Sequence, residues 1–357
     1  MKKSLILFAA GALALSACTS EEIVDEGVRG NAIGFEHVLN KQSRATDEIS
    51  GDLTNATLDN IYVYAYYTAS NLNATPVQVF YGTEVMRING KWQYENVRYW
   101  VPGAKYYFYA YSCADIELNN KYGTPTLDLV NDPYRTLRFT GYIADKNHQH
   151  DLVYAVNEGL IGHAPGEGVN QPVQFSFKHL LTKINAVFTS DFDPGYEVLV
   201  SNVKVVNVRN QGNYSPVNSE SGEEYKWDEV IRNQTNPEVV LAMTSANSAC
   251  KGDADTPYKE AVSGTAYVIP YNYSLGDVQL TFTIDVRDLE SGDIIMSRNL
   301  KGTWSPNWKL GYSYTYRIKI SGTAANLEEI KFGDMNVEGF TGDNSSSTDV
   351  NITFSVN

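Results

Sequence analysis

Cysteine and histidine are scarce in this chain of 357 residues, which contains three cysteines and five histidines. Its N-terminal apolar run, residues 5–15, is too short to cross a bilayer as a helix. No segment longer than about ten residues keeps a helical period of apolar residues. The scarcity leaves few metal ligands, the short run excludes a transmembrane helix there, and the missing period argues against a helical fold.

Catalytic signatures are absent as well. The chain has no nucleophile elbow, no glycine loop for phosphate and no Cys/His nucleophile pair. Acidic groups such as Asp253 with Asp255, or Asp285 with Asp288 and Glu290, lie in turn-rich segments without the spacing of a calcium loop. We therefore expect no catalytic residue, no metal and no cofactor, although glycosidase carboxylates carry no short signature.

The charge balance is acidic, with a formal net charge of −14. Such a surface repels phosphate backbones and anionic lipid headgroups. We therefore expect no nucleic-acid partner.

The histidines form one cluster, in which His148, His150 and Asp151 are close neighbours in sequence. On a strand, the two rings would share one face and could hold a metal together with His163 or His179. No spacing fixes that further ligand, so we expect a solvated pair in a loop.

The N-terminus predicts a lipoprotein signal. Lys2 and Lys3 precede the apolar run, and small residues lead into Cys18. Residues 1–17 are the expected signal peptide, and Cys18 is the expected lipidation site, where several acyl chains would hold the protein stably at a membrane. The alternative is a plain secretory signal with a chance cysteine. The other two cysteines, Cys113 and Cys250, are predicted either to pair or to be buried thiols.

Short runs of alternating aromatic and β-branched residues dominate the rest of the chain, which has 25 tyrosines. They predict an all-β fold of antiparallel sandwiches. The predicted strands are residues 61–67, 106–112, 152–156, 173–178 and 184–189, and then 203–209, 266–269, 278–286, 294–299, 312–320 and 352–356.

The length of the chain favours two domains, and the turn-rich segment 191–195 is the best internal break. We predict an N-terminal domain over 31–190 and a C-terminal domain over 191–357. Exposed aromatic side chains could form a sugar-stacking platform, for which Trp92, Trp100, Trp304 and Trp308 are the candidates, although core packing explains them equally well.

Two strands near the ends of the chain attract attention. Ile33, Phe35 and Leu39 occupy alternate positions of a short strand, and the basic, polar segment 41–47 that follows it is easily cut. At the other end, four apolar residues alternate with polar ones after the predicted mobile connector 341–348, namely Val350, Ile352, Phe354 and Val356.

Six segments together resemble the fimbrillin family, the type V pilins of Bacteroidota, over nearly the whole chain. Their order and spacing carry the likeness, and they are the small residues ending in Cys18, the strand 33–35 ahead of 43–46, residues 99–103 leading into 106–112, and residues 151–155, 175–184 and 308–320.

The resemblance implies a lipoprotein with two antiparallel β-sandwich domains of Greek-key, transthyretin-like type in tandem. It implies export to the surface of the outer membrane, anchoring through the lipid, and polymerisation with other fimbrial subunits. Glu21 and Glu22 also resemble the surface-export signals of such lipoproteins. The ligand for adhesion stays open.

In that family an arginine-specific protease removes the leader together with the first strand. By position, the matching bond here joins Arg44 to Ala45, so that the leader is 18–44; cutting at Arg29 would retain the strand. A strand from a neighbouring subunit then fills the open groove, and 349–357 is the expected donor strand. The alternative is that this strand completes its own C-terminal sheet.

Two functions follow for testing. The first is a structural stalk, tip or accessory subunit of a fimbria that supports adhesion. The second is a monomeric surface lipoprotein that binds glycans.

Overall fold

A computed structural model gives the structure of the chain, and it describes part of the sequence. The described residues are 31–37, 58–69, 75–113, 117–132, 135–164, 167–190, 192, 195–216, 226–233, 238–243, 248–250, 262–273, 278–323, 326–327, 331–332, 335–339, 344–348 and 353–356.

The described residues fold into β-strands and connecting turns, which confirms the predicted all-β class. Strands β1 to β10 are Phe35–His37, Asn60–Thr68, Val77–Ile88, Lys91–Gln93, Lys105–Ser112, Thr124–Leu127, Leu137–Ile143, Val153–Ile161, Val173–Phe175 and Lys178–His179. Strands β11 to β20 are Thr182–Ser190, Tyr196–Val206, Gln211–Ser215, Lys226–Ile231, Glu238–Val240, Ala242–Met243, Ser248–Cys250, Val262–Val268, Val278–Asp288 and Ile294–Trp304. Strands β21 to β27 are Tyr312–Ile320, Gly322–Thr323, Asn326–Leu327, Lys331–Phe332, Met335–Gly339, Asn344–Thr348 and Thr353–Val356.

The centre of the first half is a six-stranded sheet in the order β10-β8-β5-β2-β3-β4. Its strand β2 places Ile61 and Val63 on one face and Tyr62 and Tyr64 on the other, and all four are buried. A strand with both faces buried needs a layer on each side. The tyrosine face packs against the four-stranded sheet β14-β13-β7-β6, and the aliphatic face packs against β1 and β9.

The second half forms a sandwich of a seven-stranded and a six-stranded sheet. One has the order β16-β18-β11-β21-β25-β26, with β24 also on β21; the other has the order β15-β12-β19-β20-β27, with β17 also on β12. Alternating residues of both sheets, such as Ile184, Val200, Phe282 and Ile318, form one buried core between them. The described strand pairs are antiparallel except for β1 with β9 and β11 with β21.

The sheets do not divide at the break predicted near residue 191. Strand β11, which precedes that break, pairs with β18 and β21 of the second sandwich. Strand β13, which follows the break, pairs with β7 of the first half. Sheet membership depends on partners far away in the sequence, which a turn-rich segment does not reveal, so the boundary at 190/191 differs from the division between the sheets.

Side-chain bonds join the two halves. The amide of Gln149 accepts a hydrogen bond from Tyr267 N at 2.8 Å and donates one to Tyr267 O at 3.2 Å. These two bonds connect the loop after β7 to β18. Within the first half, Trp227 Nε1 donates to Leu180 O at 2.7 Å and so connects β14 to the residue after β10.

Candidate assembly site

The segment 31–37, which we call the leader strand, lies over the aliphatic face of the first sheet. Its strand β1 pairs in parallel with β9, so that Phe35 lies opposite Val173. Ile33 and Phe35 are 0% and 1% exposed, whereas the side chain of Glu36, the next residue, is exposed to solvent. The alternation predicted from sequence for Ile33 and Phe35 is therefore present, and Leu39 lies outside the described residues.

Phe35 is enclosed by aromatic rings that come from β3, β5, β9 and the residue that follows β4. Its ring centroid lies 5.4 Å from that of Phe80, 5.5 Å from Tyr94, 6.2 Å from Phe108 and 5.9 Å from Phe175. Three of these contacts are edge-to-face and the Phe175 contact is stacked, which are the favourable arrangements for aromatic pairs. The leader strand thus supplies a side chain around which the N-terminal core is built.

The backbone of the leader strand is hydrogen-bonded along both edges. On one edge, Val173 N donates to Gly34 O at 2.8 Å. On the other, Ile33 N donates to Arg98 O at 2.8 Å, and Tyr94 OH donates to Ile33 O at 2.6 Å. The strand therefore fills a slot between β9 and the segment 98–100.

Asn31 fixes the N-terminal end of that slot. Its carbonyl accepts from Trp100 N at 2.9 Å, and its Nδ2 donates to Trp100 O at 3.2 Å. Asn170 Nδ2 donates to Asn31 Oδ1 at 2.9 Å, and Asn170 also bonds the backbone of His163 on both sides. Sequence reasoning missed Asn31, Tyr94 and Asn170, because their partners lie far along the chain and no local pattern points to them.

The C-terminal strand occupies the edge of the second sandwich in this chain. β27 pairs antiparallel with β20, with Val356 opposite Leu300 and Thr353 opposite Thr303. Pairing within its own C-terminal sheet, the alternative raised from sequence, is thus what the structure has for Thr353–Val356. Val350 and Ile352 lie outside the described residues, as do Cys18, Arg29, Arg44 and Ala45.

The histidine cluster is not the solvated loop pair expected from sequence. His148 is 0% exposed, its Nδ1 lies 2.7 Å from Ile143 O, and its ring stacks on Tyr122 with the centroids 4.3 Å apart. The prediction of a solvated pair is wrong for His148, because the turn after Ile143 directs its ring into the core. The His150 ring lies 5.3 Å from it.

The other two histidines considered as metal ligands lie elsewhere. His179 Nδ1 is 2.5 Å from Asp151 Oδ2, and His163 belongs to an exposed loop. Within the part of the chain that the structure describes, no group of three His, Cys, Asp or Glu side chains is arranged to hold a metal ion.

The structure brings together a cysteine and a histidine that sequence reasoning had kept apart. Cys113 Sγ lies 3.5 Å from His148 Nε2, and the thiol is free and buried. Burial raises the pKa of Cys113 to about 12, whereas a nucleophilic cysteine needs a lowered pKa. The pair is therefore a buried hydrogen bond of a neutral thiol, and Cys113 is a buried free thiol, one of the two alternatives left open. Cys250 lies in β17, opposite Val198.

Stability should fall below neutral pH because of His148. Burial, which penalises the imidazolium, is the main cause that lowers the pKa of His148 from its usual value of 6.5. Well above pH 6.5 the histidine is neutral in both the folded and the unfolded chain, so its burial does not lower the free energy of unfolding. As the pH falls below 6.5, the unfolded chain takes up the proton first, and the free energy of unfolding decreases until the lower, folded pKa is reached.

The variant His148→Gln should flatten this dependence. Between pH 7.5 and pH 5.5 the free energy of unfolding of the wild type should lose up to about 1.4 kcal/mol per pH unit more than that of the variant. Urea unfolding over this range measures the two slopes, and parallel slopes would contradict the assignment. Each protein at pH 7.5 serves as its own reference, so the lost ring contacts cancel.

The tryptophans proposed as a sugar platform are core residues. Trp92, Trp100, Trp304 and Trp308 are all buried. Trp304 Nε1 and Trp308 Nε1 both donate to Tyr316 OH, at 3.3 and 2.9 Å. Core packing, the alternative stated from sequence, is therefore confirmed for all four.

The acidic group at the β19–β20 turn is a turn cap, as its sequence suggested. Asp288 Oδ1 accepts from Glu290 N at 2.8 Å and from Ser291 N at 3.0 Å. These backbone donors lower the pKa of Asp288. Asp253 and Asp255 lie outside the described residues. No helix in the described part of the chain is long and apolar enough to span a membrane.

A family of known proteins matches most of the chain. The family described as "Fimbrillin-like" matches residues 43–338. The match includes β2 to β24 and most of β25.

A solved fimbrial protein shares the fold of this chain. A fimbrial protein from Bacteroides vulgatus ATCC 8482 aligns over 87% of this chain and 100% of its own, with 17% identity and a TM-score of 0.56. The fimbrial anchor protein Mfa2 from Porphyromonas gingivalis aligns over 86% of this chain and 97% of its own, with 8% identity and a TM-score of 0.34. The first of these two likenesses shows a common fold.

A curated relative matches over a shorter stretch. The protein described as "Probable beta-glucosidase L" of Aspergillus terreus is 25% identical over 150 residues, which are 41% of this chain and 16% of that relative. The chain thus spans about one sixth of the length of that relative.

Proposed function

Because the chain belongs to the fimbrillin-like family, we propose that it is a structural subunit of a cell-surface fimbria whose subunits join by β-strand donation. As a fimbrillin-like protein it is a fimbrial protein of the cell surface and not an enzyme. The proposal covers a stalk, tip or accessory position, and it includes support for adhesion.

The observation that carries the proposal is the position of the leader strand. Ile33 and Phe35 fill the core between the first sheet and β9, and the next arginine, Arg44, follows soon after His37. Cleavage between Arg44 and Ala45 would separate the leader strand from the rest of the chain. Its loss would uncover the rings of Phe80 and Phe108 and the hydrogen-bonding edge of β9, and would so leave an open groove.

A second copy of the chain would supply the replacement. Burying Val350, Ile352, Phe354 and Val356 contributes roughly 6–12 kcal/mol before ordering costs, at about 1.5–3 kcal/mol for each large apolar side chain. To be donated, β27 must leave β20, on which Thr353–Val356 holds four residue pairs at the sheet edge. An edge strand exchanges partners without disturbing the strands behind it.

The proposal also includes an attachment to the outer membrane through a lipid anchor near the N-terminus. Acylation of Cys18 would hold the precursor at the outer membrane until cleavage, since two or more acyl chains anchor a protein stably. A subunit that kept its leader would stay at the membrane as an anchor.

The competing role, a monomeric glycan-binding lipoprotein, has lost its main support. The four tryptophans proposed to stack on sugars are buried, and a buried ring offers no face to a ligand.

The processing step can be tested with Arg44→Ala. We expect the variant to remain on the surface in a form that begins at acylated Cys18 and to form no fibres, while the wild type begins at Ala45. Mass spectrometry of the N-terminus and electron microscopy of the cells measure both results. Arg29→Ala is the matched control and should retain both the Ala45 terminus and the fibres. An Arg44→Ala protein that is processed and assembled like the wild type would rule out this bond.

A further inference from the structure

The turn between β7 and β8 holds the first half of the chain on the second sandwich. Residues 145–149, which we call the clamp turn, contact both sheets of that sandwich. In the seven-stranded sheet, the Gln149 side chain bonds Tyr267 N and Tyr267 O at 2.8 and 3.2 Å. In the six-stranded sheet, Lys146 Nζ lies 3.3 Å from Glu238 Oε1. Two side chains of one short turn therefore reach both layers of the other half.

The carboxamide of Gln149 acts on β18 as a strand residue would. It offers an acceptor and a donor, as a peptide unit does, and it bonds Tyr267 beyond Thr265, where the described pairing of β18 with β16 ends. Its Nε2 also donates to Asp145 O at 2.9 Å, which orients the carboxamide within the turn. This bond protects the amide of Tyr267 from water for as long as the clamp turn stays in place.

A buried histidine holds the clamp turn in the first half. His148 directly precedes Gln149 and is 0% exposed. Its Nδ1 lies 2.7 Å from Ile143 O, and its ring stacks on Tyr122. Its Nε2 lies 3.5 Å from Cys113 Sγ. Because the ring and the carboxamide belong to adjacent residues of one short turn, the ring cannot leave the core without moving Gln149.

We propose that the clamp turn is an acid-sensitive joint: when His148 takes up a proton, its ring leaves the core and the bonds from Gln149 to Tyr267 open. The proton goes to Nε2, because Nδ1 already donates its hydrogen to the carbonyl of Ile143. There it meets the thiol of Cys113, and sulfur is a weak acceptor. Water solvates the imidazolium better than this buried site does, so protonation favours the open turn.

The surroundings of His148 favour its neutral form. Burial is the largest cause, and it lowers the pKa of His148 from its usual 6.5. The hydrogen bond to Ile143 O and the carboxylate of Asp145 favour protonation, whereas the positive charges of two neighbouring side chains oppose it. Those two side chains are Lys121 and His150. The remaining side chains against the ring are two phenols and a thiol, which are those of Tyr122, Tyr142 and Cys113.

The size of the response follows from the ordinary titration of a histidine. In the open turn His148 is solvated and has its usual pKa of 6.5, whereas in the closed turn its pKa is lower. At pH 5.5, about ten of every eleven open molecules therefore carry the proton. The equilibrium constant for opening should rise by up to about tenfold between pH 7.5 and pH 5.5.

Hydrogen exchange at the Tyr267 amide measures the opening, because this amide donates to Gln149 in the closed turn. The full chain would be followed by NMR or mass spectrometry at pH 7.5 and pH 5.5, with rates corrected for the chemical exchange of free peptide. We expect the protection factor of Tyr267 to fall by up to about tenfold in the wild type. In His148→Gln the protection factor should stay constant.

Low concentrations of urea distinguish the clamp turn from global unfolding. Opening the turn exposes little surface, so exchange at Tyr267 should not respond to urea. The amide of Ile284, which lies in the core of the second sandwich, should exchange faster as urea is added. A Tyr267 amide with the rate and the urea dependence of Ile284 would overturn the proposal, since the turn would then open only by unfolding.

Two further variants test the parts of the joint. Gln149→Ala removes the bonds to Tyr267 and should raise exchange at that amide at both pH values. His150→Gln removes the neighbouring histidine, whose ring lies 5.3 Å from that of His148, and should retain the pH response. A response that persists in His148→Gln, or that His150→Gln abolishes, would overturn the assignment. If His148→Gln does not fold, the wild type decides alone, since an equal protection factor at both pH values overturns the proposal.

Discussion

Replacing Phe35 with alanine should lower the free energy of unfolding of the uncleaved chain by about 3–5 kcal/mol, the range for a buried phenylalanine. The residue is 1% exposed and contacts four rings, so the substitution removes transfer free energy and leaves a cavity that rigid aromatic neighbours cannot fill. Thermal or denaturant unfolding of the full-length precursor measures the loss. The effect should be concentrated in the N-terminal half, because the second sandwich has its own core.

Glu36→Ala is the matched control for that experiment. It changes the adjacent residue of the same strand, whose side chain is exposed, so its effect should stay within about 0.5 kcal/mol. Assembled, cleaved subunits purified from fibres should show no difference between Phe35→Ala and the wild type, because the residue has been removed with the leader. Equal free energies of unfolding for the Phe35→Ala and wild-type precursors would mean that the leader strand is not part of the N-terminal core.

Deleting residues 349–357 should abolish fibres while leaving the monomer folded. The deleted segment includes β27, which pairs with the outer strand β20 alone among the described strands. The ladders between β12, β19 and β20 remain after its loss, and they hold the sheet together. Size-exclusion chromatography and electron microscopy measure the loss of polymer, and circular dichroism reports the retained sheet.

Single substitutions serve as controls for the deletion. Phe354→Ala should reproduce much of the assembly defect, whereas Ser355→Ala, on the polar face of the same strand, should assemble as the wild type does. A truncated protein that still polymerises would show that another segment is the donor.

The strands at the centre of the first half were readable from the sequence. Residues 61–67 and 106–112 alternate without interruption, and they became β2 and β5. Strand β3 was missed because exposed residues such as Val77 and Tyr81 interrupt its pattern. The sequence does carry a signal directly after β3, which is the turn-forming dipeptide Asn89-Gly90. These residues have φ angles of 53° and 80° and form the tight turn of the hairpin to β4.

Pairings between distant strands could not be read in the same way. Local alternation shows which residues face a core but not which core, so the membership of β11 and β13 followed only from the structure.

In the candidate site, too, local features could be predicted from the sequence and contacts between distant residues could not. The buried pair Ile33 and Phe35 followed from a period of two in a single strand. The ring-lined place of Phe35 required Phe80, Tyr94, Phe108 and Phe175, which are dispersed over about a hundred residues. His148 was misjudged for a related reason, since its loop is polar in sequence and only the fold turns its ring inward.

The leader strand is hydrogen-bonded along both of its edges, and this arrangement has a mechanical consequence for any strand that occupies the slot. Its hydrogen bonds to β9 and to residues 98–100 run across the strand axis on both sides. A pull along the axis strains these bonds together in shear, whereas a pull at right angles would peel them one after another. Because forced separation depends on the unfolding rate, a joint loaded in shear lasts longer under flow than one of the same equilibrium strength loaded by peeling.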